Sequence, residues 1–209
     1  MNGLAKILEF IQIAGALKYE LRYGNINSDK RDSSAAHSFM LALLIYYTDD
    51  YFIKKKQLDI DLFKAIKIAL IHDLPEAIVY DTPFFEIFKT LNASQKQKSA
   101  REEAGMKVLA SKLPKSQGSE TYKLWKEYET CSSDEAKFVK ILDKLEGSYT
   151  SMAIGIGPGK LDADPIVHHS DKGFGWFPAT DKLMKLVRKD FKKYFAENKL
   201  AWKPEYDLP

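Results

Sequence analysis

An amphipathic helical pattern that runs into polar residues and then a proline constrains the fold of this chain more than any other stretch. Leu62, Ile66, Ala69 and Asp73 share one helical stripe, and His72 lies beside it. Pro75 lacks an N–H and crowds the preceding turn, so we expect the helix to end or kink just after Asp73. A buried carboxylate without a partner costs several kcal/mol, so a His-Asp pair in this position predicts a partner or a metal ion.

The rest of the chain reads as further helices, and no β-type alternation exceeds a few residues. The predicted fold class is therefore all-α. The expected helices cover residues 4–21, 34–52, 94–113, 120–130 and 180–198, and a further helix is opened by Ser132-Ser133-Asp134-Glu135. The helix that ends just after Asp73 is expected to begin with Asp59 or Asp61 as its cap.

The pattern changes after Ile154. Residues 155–175 contain five glycines, two prolines and the pair His168-His169, without a clear period. We expect a helical core over residues 1–154 and a loop-rich extension over residues 155–209, which ends in a helix and packs on the core. The two histidines could form a second metal site or a lid, but their place in a Gly-rich loop favours surface residues.

Composition excludes several classes of protein. The net charge of +3 is too small to predict a surface for polymeric nucleic acid, although it allows a locally basic pocket. The single cysteine, Cys131, cannot form an intramolecular disulfide and suits a reducing compartment. The N-terminal residues lack a signal-peptide pattern and no apolar run is long enough to span a membrane, so we expect a cytoplasmic protein.

Four inward-facing polar residues come from three predicted helices: His37, His72, Asp73 and Asp143. Taken alone, His37 is better explained as a core histidine on the face of Leu41 and Leu44. Together, two imidazoles and two carboxylates can hold one divalent ion, Co, Mn, Mg, Fe, Ni or Zn, and leave positions open for water and substrate.

Further charged residues can complete a hydrolytic site. Glu76 and Asp81 follow the His-Asp pair and can act on a water molecule or on a leaving group. Asp81 can instead cap the segment that contains Thr82-Pro83. Arg22 and Arg31 flank a polar segment and can bind an anionic substrate, although Arg22 also suits an ordinary helix end.

The order His37, His72-Asp73, Asp143 on helices resembles the HD-domain superfamily of metal-dependent phosphohydrolases, and within it the 5′-deoxynucleotidase-like subgroup. The matching stretches span roughly residues 4–150. They are Ala35-Ala36-His37-Ser38, His72-Asp73-Leu74-Pro75-Glu76-Ala77-Ile78-Val79, Arg101-Glu102-Glu103-Ala104, Leu124-Trp125-Lys126-Glu127-Tyr128-Glu129 and the run from Ala136 to Lys144.

The resemblance implies a helical bundle, one divalent metal ion and a homodimer. It implies that His37, His72, Asp73 and Asp143 are the metal ligands. Glu76 and Asp81 match the acids that position water and protonate the leaving group, and Arg22 loosely matches a residue that contacts the nucleotide phosphate.

This chain departs from the family pattern at two positions. The family usually has glutamate immediately before the first metal-binding histidine, where this chain has Ala36, and glycine where this chain has Tyr80. The first change affects a hydrogen bond near His37, and the second affects the mouth of the substrate site.

Three functions fit these observations. The favoured one is a metal-dependent phosphohydrolase that removes phosphate from (deoxy)nucleoside 5′-monophosphates. The second is an HD-type hydrolase of nucleoside triphosphates or of alarmones, which would release triphosphate or pyrophosphate. The third is a catalytically weak, metal-bound nucleotide-binding protein.

Overall fold

The computed structural model describes residues 2–23, 28–55, 57–79 and 92–208, with side chains from residue 96 onward in the last range. Nine α-helices lie in these described ranges. They are α1 Gly3–Ala14, α2 Ser34–Phe52, α3 Leu62–Ile71, α4 Glu76–Val79, α5 Asn92–Lys112, α6 Lys115–Thr130, α7 Asp134–Ile154, α8 Ala163–His169 and α9 Pro178–Glu197. The prediction of an all-α fold is confirmed.

Side-chain caps fix the starts of the helices that carry the polar residues. The Ser33 side chain accepts a hydrogen bond from the backbone N–H of Ala36 and starts α2. Asp61, one of the two predicted caps, accepts from Lys64 and starts α3. Ser133 caps α7 in the same way. Each cap satisfies an N–H group that has no partner inside its helix.

Helix α7 lies at the centre of the molecule, where it packs against α2, α3, α6, α8 and α9. Its central position explains why both apolar and charged side chains of α7 are buried, among them Phe138, Leu142, Lys140 and Glu146. Tyr149 of the same helix is 48% exposed. Charged groups on α7 therefore face other helices, which is where a functional site can form.

The first predicted helix is shorter than its apolar pattern. Helix α1 ends at Ala14 and a 3₁₀ turn covers Gly15–Lys18, whereas the predicted helix extended to residue 21. Phe10 is buried in a second apolar cluster with Leu74, Met106 and Trp125.

The segment after residue 154 contains an additional helix, α8, where a long loop was predicted. Ile166 and Val167 of α8 belong to the same buried cluster as Leu41 and Ile141. Hence the segment shares the main apolar core with residues 1–154, and the division at residue 154 stays a prediction.

None of the helices in the described ranges is long and apolar enough to cross a membrane.

Candidate metal centre and substrate cavity

Three buried side chains from three helices converge at the end of α3. They are His37 of α2, His72 directly after α3, and Asp143 of α7. One donor atom from each lies within 4.8 Å of the other two. Pro75 accounts for the break between α3 and α4, because it cannot continue a helix from the preceding turn. Helix α3 ends at Ile71, residues 72–75 form a turn, and α4 begins at Glu76.

The donor atoms have the spacing of neighbouring ligands around one ion. Nε2 of His37 lies 3.0 Å from Oδ1 of Asp143 and 3.3 Å from Nε2 of His72. Bonds of about 2.0 to 2.2 Å to a shared ion place adjacent ligand atoms about 3 Å apart. Asp73 lies at the edge of this group, with Oδ1 3.2 Å from Nε2 of His72 and Oδ2 3.9 Å from Nε2 of His37.

The histidine tautomers also fit a cation. Nδ1 of His72 lies 2.8 Å from the carbonyl oxygen of Ala69, which can only accept, so Nδ1 carries the proton. Nδ1 of His37 faces Oε2 of Glu146. Both Nε2 atoms therefore present lone pairs toward each other, an arrangement that a shared cation stabilises.

Asp143 is held in place through its second oxygen. The Tyr128 hydroxyl donates to Oδ2 at 2.5 Å, and the Lys144 ammonium lies 2.7 Å from the same atom. Burial alone would raise the pKa of Asp143, but Lys144, His72 and other nearby cations hold it well below its usual range. The group is therefore a carboxylate with Oδ1 directed at the histidines. Burial and the charge of Asp143 raise the pKa of Tyr128, so its hydroxyl stays protonated and can donate.

The group of candidate metal ligands borders a cavity of about 330 Å³, which His72, Asp73 and Asp143 help to line. Its lining residues come from several helices and from both halves of the chain. They are Arg22, Tyr23, His72, Asp73, Pro75, Glu76, Lys98, Ser99, Glu102, Tyr128, Glu129, Lys140, Asp143, Lys144, Gly147, Ser148, Ser151, Ile166, His169 and Lys172. The mixture of cations and acids suits a polar, charged ligand.

Arg22 reaches this cavity from the segment after α1. Its backbone N–H donates to the Asp32 carbonyl at 3.1 Å, and its Nε lies 3.9 Å from Oδ2 of Asp32. Nη1 of Arg22 is buried and has no hydrogen-bond partner within the described part of the chain. Burial alone would lower its pKa, but Asp73, Asp143 and other nearby negative charges raise it. A buried guanidinium with a spare N–H can bind an anionic oxygen.

The other predicted residues differ in their positions. Glu76 is buried, lines the cavity, and accepts a hydrogen bond from the Ser34 hydroxyl at 2.5 Å. Arg31 is exposed and does not line the cavity. Asp81 and Tyr80 lie outside the described residues. The structure thus brings together six of the predicted residues, namely His37, His72, Asp73, Asp143, Glu76 and Arg22. The role of Arg31 stays a prediction.

Four residues of the site were not identified as functional from the sequence: Glu146, Tyr128, Lys140 and Glu102. Glu146 lies three residues after Asp143 on α7, a spacing that places both on one helix face and could have indicated it. Lys140 is buried with its ammonium 3.3 Å from the centre of the Tyr128 ring, and burial lowers its pKa to about 8.

Glu102 is the titratable acid on the α5 side of the cavity. Burial raises the pKa of Glu102 to about 7, against the lowering effect of Lys98 at 3.4 Å. A carboxyl group with this pKa holds a proton through much of the range below neutral pH and can exchange it there. The sequence motif around Arg101-Glu102 gave no indication of this property, because the shift arises from tertiary burial.

A family model described as HD domain matches residues 14–154 of the chain. Among curated relatives, the 5′-deoxynucleotidase HDDC2 of Bos taurus is 37% identical over 147 residues, which are 69% of this chain and 66% of that protein. The match therefore spans about two thirds of the length of the relative.

Solved structures are similar over more of the chain. A structure described as a predicted metal-dependent phosphohydrolase of Magnetospirillum magnetotacticum MS-1 has a TM-score of 0.70 at 23% identity and covers 96% of both chains. An HD-domain phosphohydrolase of Listeria innocua has a TM-score of 0.74 at 19% identity and covers 91% of this chain and 90% of that chain. At these identities the likeness shows the shared fold, including the segment after residue 154.

Proposed function

This chain belongs to the HD domain family, and on that premise we propose that it is a divalent-metal-dependent phosphohydrolase acting on (deoxy)nucleoside 5′-monophosphates. The observation that carries the proposal is the placement of the spare guanidinium N–H of Arg22 in the same cavity as His72, Asp73 and Asp143. An anion-binding group beside a metal-type ligand cluster is the arrangement that phosphate-ester hydrolysis requires.

His37, His72, Asp73 and Asp143 would hold one divalent ion, whose native identity stays open. When bound, such an ion polarises a phosphoryl oxygen and activates a water molecule for attack at phosphorus. The fit rests on the donor spacing and on the two facing Nε2 lone pairs described above.

The side chains around the ligands would position the substrate and move protons. Arg22 would bind a non-bridging phosphate oxygen and offset its charge. Glu76, oriented by the Ser34 hydroxyl, would orient the attacking water. Asp81 would protonate the leaving sugar oxygen, as the family resemblance implies. The reaction would consume one water and yield a nucleoside and inorganic phosphate.

Glu146 would take the part of the glutamate that relatives usually carry before the first histidine. Ala36 has no acceptor side chain, whereas Glu146 reaches Nδ1 of the same imidazole from α7. This contact would fix Nε2 of His37 toward the ion. The departure at Ala36 is therefore compatible with an intact ligand set.

The test is a panel of divalent metals and phosphorylated substrates with inorganic phosphate as the product measured. Purified chain should release phosphate from nucleoside 5′-monophosphates, and Asp73→Ala should abolish the release. Release of triphosphate or pyrophosphate from nucleoside polyphosphates would indicate the second function. Nucleotide binding without turnover across all metals would indicate the third. Full activity in Asp73→Ala or in excess chelator would contradict the proposal.

The homodimer implied by the family resemblance finds support in exposed apolar side chains of α2 and α3. The exposed large apolar residues of these two helices are Phe39, Met40, Tyr46, Tyr47, Tyr51, Phe63 and Leu70. Large exposed apolar side chains on two helices that pack against each other are typical of protein interfaces. Light scattering should give twice the 23.9 kDa chain mass, and Tyr47→Asp should lower it, whereas a monomeric wild type would contradict the dimer. The cytoplasmic location stays a prediction of the sequence.

A further inference from the structure

One wall of the substrate cavity comes from the segment that follows the family-model match. Ile166, His169 and Lys172 line the cavity together with Asp73 and Asp143. The family model ends at residue 154, and helix α8, which carries the first two residues, packs directly on α7. Side chains from outside the matched region therefore face the candidate reaction centre.

Arg188 of α9 fixes this wall from behind. Its Nη2 donates to the Val167 carbonyl at 3.3 Å and to the Ser170 hydroxyl at 3.1 Å, and it forms an ion pair with Asp171. Arg188 itself is buried. A buried guanidinium with several partners holds the end of α8 in one position.

Gly173 fixes the other end of the wall against α7. Its φ of +94° is strained for residues with a side chain, and a Cβ atom there would lie 2.5 Å from Cγ1 of Ile141. Glycine thus permits a close approach of this backbone to α7. Residues 169–172 are held between this contact and Arg188, so they form a built surface.

The adjacent histidines face different surroundings. His168 lies 3.6 Å from Asp171 and packs its ring against Tyr206, with the ring centres 5.8 Å apart. His169 instead lines the cavity. Burial and the charge of Lys144 lower the pKa of His169 well below its ordinary value, so its imidazole is neutral near neutral pH. A neutral imidazole can donate one hydrogen bond, accept another, and stack on a flat ring.

Lys172 differs from the other lysines of the cavity. Lys144 pairs with Asp143 at 2.7 Å and Lys98 with Glu102 at 3.4 Å. Lys172 is exposed at the cavity edge and has no ion pair to another described residue. Its ammonium can therefore bind a ligand anion without giving up an internal partner.

We propose that His169 and Lys172 are substrate-binding residues, with Lys172 contacting an anionic phosphate oxygen and His169 contacting the nucleoside part. The inference rests on the proposed function. It adds that the C-terminal segment supplies one side of the substrate cavity and contributes to substrate specificity. The sequence favoured surface positions without a functional role for both His168 and His169. Under this proposal that expectation is kept for His168 and is replaced by substrate binding for His169.

The test uses the full chain with His169→Ala and Lys172→Gln, and measures KM, kcat and bound metal. Loss of a substrate contact should raise KM about tenfold for His169→Ala and severalfold for Lys172→Gln. The value of kcat and the metal content should stay within about threefold of wild type, because neither residue belongs to the group of donor atoms that would hold the ion. His169→Gln, which keeps hydrogen-bonding capacity, should recover part of the KM effect.

Two variants of the same segment serve as controls. His168→Ala removes the neighbouring imidazole and Lys189→Gln removes an exposed lysine of α9, and both should leave KM unchanged. A KM within twofold of wild type for both His169→Ala and Lys172→Gln would overturn the proposal.

Calorimetric binding of a nucleoside 5′-monophosphate separates this inference from the proposed function, because binding needs no turnover. Weaker binding by His169→Ala than by wild type supports the wall even if no phosphate is released. Equal binding by wild type and both variants overturns it, even if wild type is an active phosphohydrolase.

Discussion

The two pairs of histidines in this molecule show opposite relations between sequence and space. His37 and His72 are 35 residues apart, yet their Nε2 atoms lie 3.3 Å from each other. His168 and His169 are adjacent in sequence, yet one packs on Tyr206 and the other lines the cavity. Helix packing determines which imidazoles can share a ligand, and adjacency in the chain does not.

The pairs also differ in how each ring is oriented. His37 and His72 each have Nδ1 directed at an acceptor, Glu146 and the Ala69 carbonyl, so both rings aim Nε2 at one point. His168 has a half-buried acid, Asp171, 3.6 Å away. The first pair therefore has the fixed tautomers that a metal site needs.

The largest expected effect is a difference in kcat/KM between variants of the two histidine pairs. His72→Ala removes a proposed metal ligand and should lower kcat/KM for phosphate release by at least about a thousandfold, because the ion supplies several kcal/mol of transition-state stabilisation. His168→Ala should change kcat/KM less than twofold. Steady-state phosphate release measures both, and similar losses in the two variants would contradict the distinction.

The sequence predicted the first pair because its signals are local. The position of His37 on the face of Leu41 and Leu44 and the break at Pro75 are each encoded within a few residues. These features place His37 and His72 on inward faces without any knowledge of the partner helix.

The features of the site that the sequence did not predict depend on contacts between residues that are distant in the chain. Glu146 reaches His37 across 109 positions of sequence and Tyr128 reaches Asp143 across 15. The spacing of Glu146 from Asp143 can place both on one face of α7, but it does not reveal which side chain of α2 Glu146 contacts. Helix α8 was missed because the surrounding glycines hide a short amphipathic segment whose stability comes from packing on α7. The position of His169 follows from that same packing.

A smaller effect should follow from loosening the orientation of His37. Glu146→Gln keeps the size of the side chain but replaces the carboxylate acceptor at Nδ1, and we expect metal affinity to fall about 10- to 100-fold. Glu135→Gln on the same helix, whose carboxylate pairs with Lys64 instead, is the matched control. Competitive metal titration measures the change, and equal affinities for the two variants would refute the role of Glu146.

The smallest expected effect is a change in the pH dependence of the free energy of unfolding, and it comes from Glu102 on the α5 side of the cavity. Burial raises the pKa of Glu102 from 4.5 to about 7, so the folded state holds this proton more tightly than the unfolded state. Stability from Glu102 is present below pH 4.5 and is lost as pH rises toward 7. Glu102→Gln should remove this loss, and its free energy of unfolding relative to wild type should rise by roughly 1 to 3 kcal/mol between pH 4.5 and 7.

The neighbouring acid provides a control with the opposite sign. Hydrogen bonds from Lys107, Lys126 and Tyr122 lower the pKa of Glu103 to about 2. Its stabilising effect is present above the unfolded pKa and is lost as pH falls toward 2. Urea unfolding of Glu103→Gln over pH 4.5 to 7 should therefore not show the rise expected for Glu102→Gln, and a parallel rise in both would contradict the burial argument.

Titration of the metal-free chain with Co²⁺, followed by calorimetry and by the visible spectrum, tests the central claim most directly. We predict one ion per chain, with nitrogen and oxygen ligands, and loss of that binding in Asp143→Ala but not in His168→Ala. Binding that is absent in wild type, or that is unchanged in Asp143→Ala, would contradict a metal centre formed by His37, His72, Asp73 and Asp143.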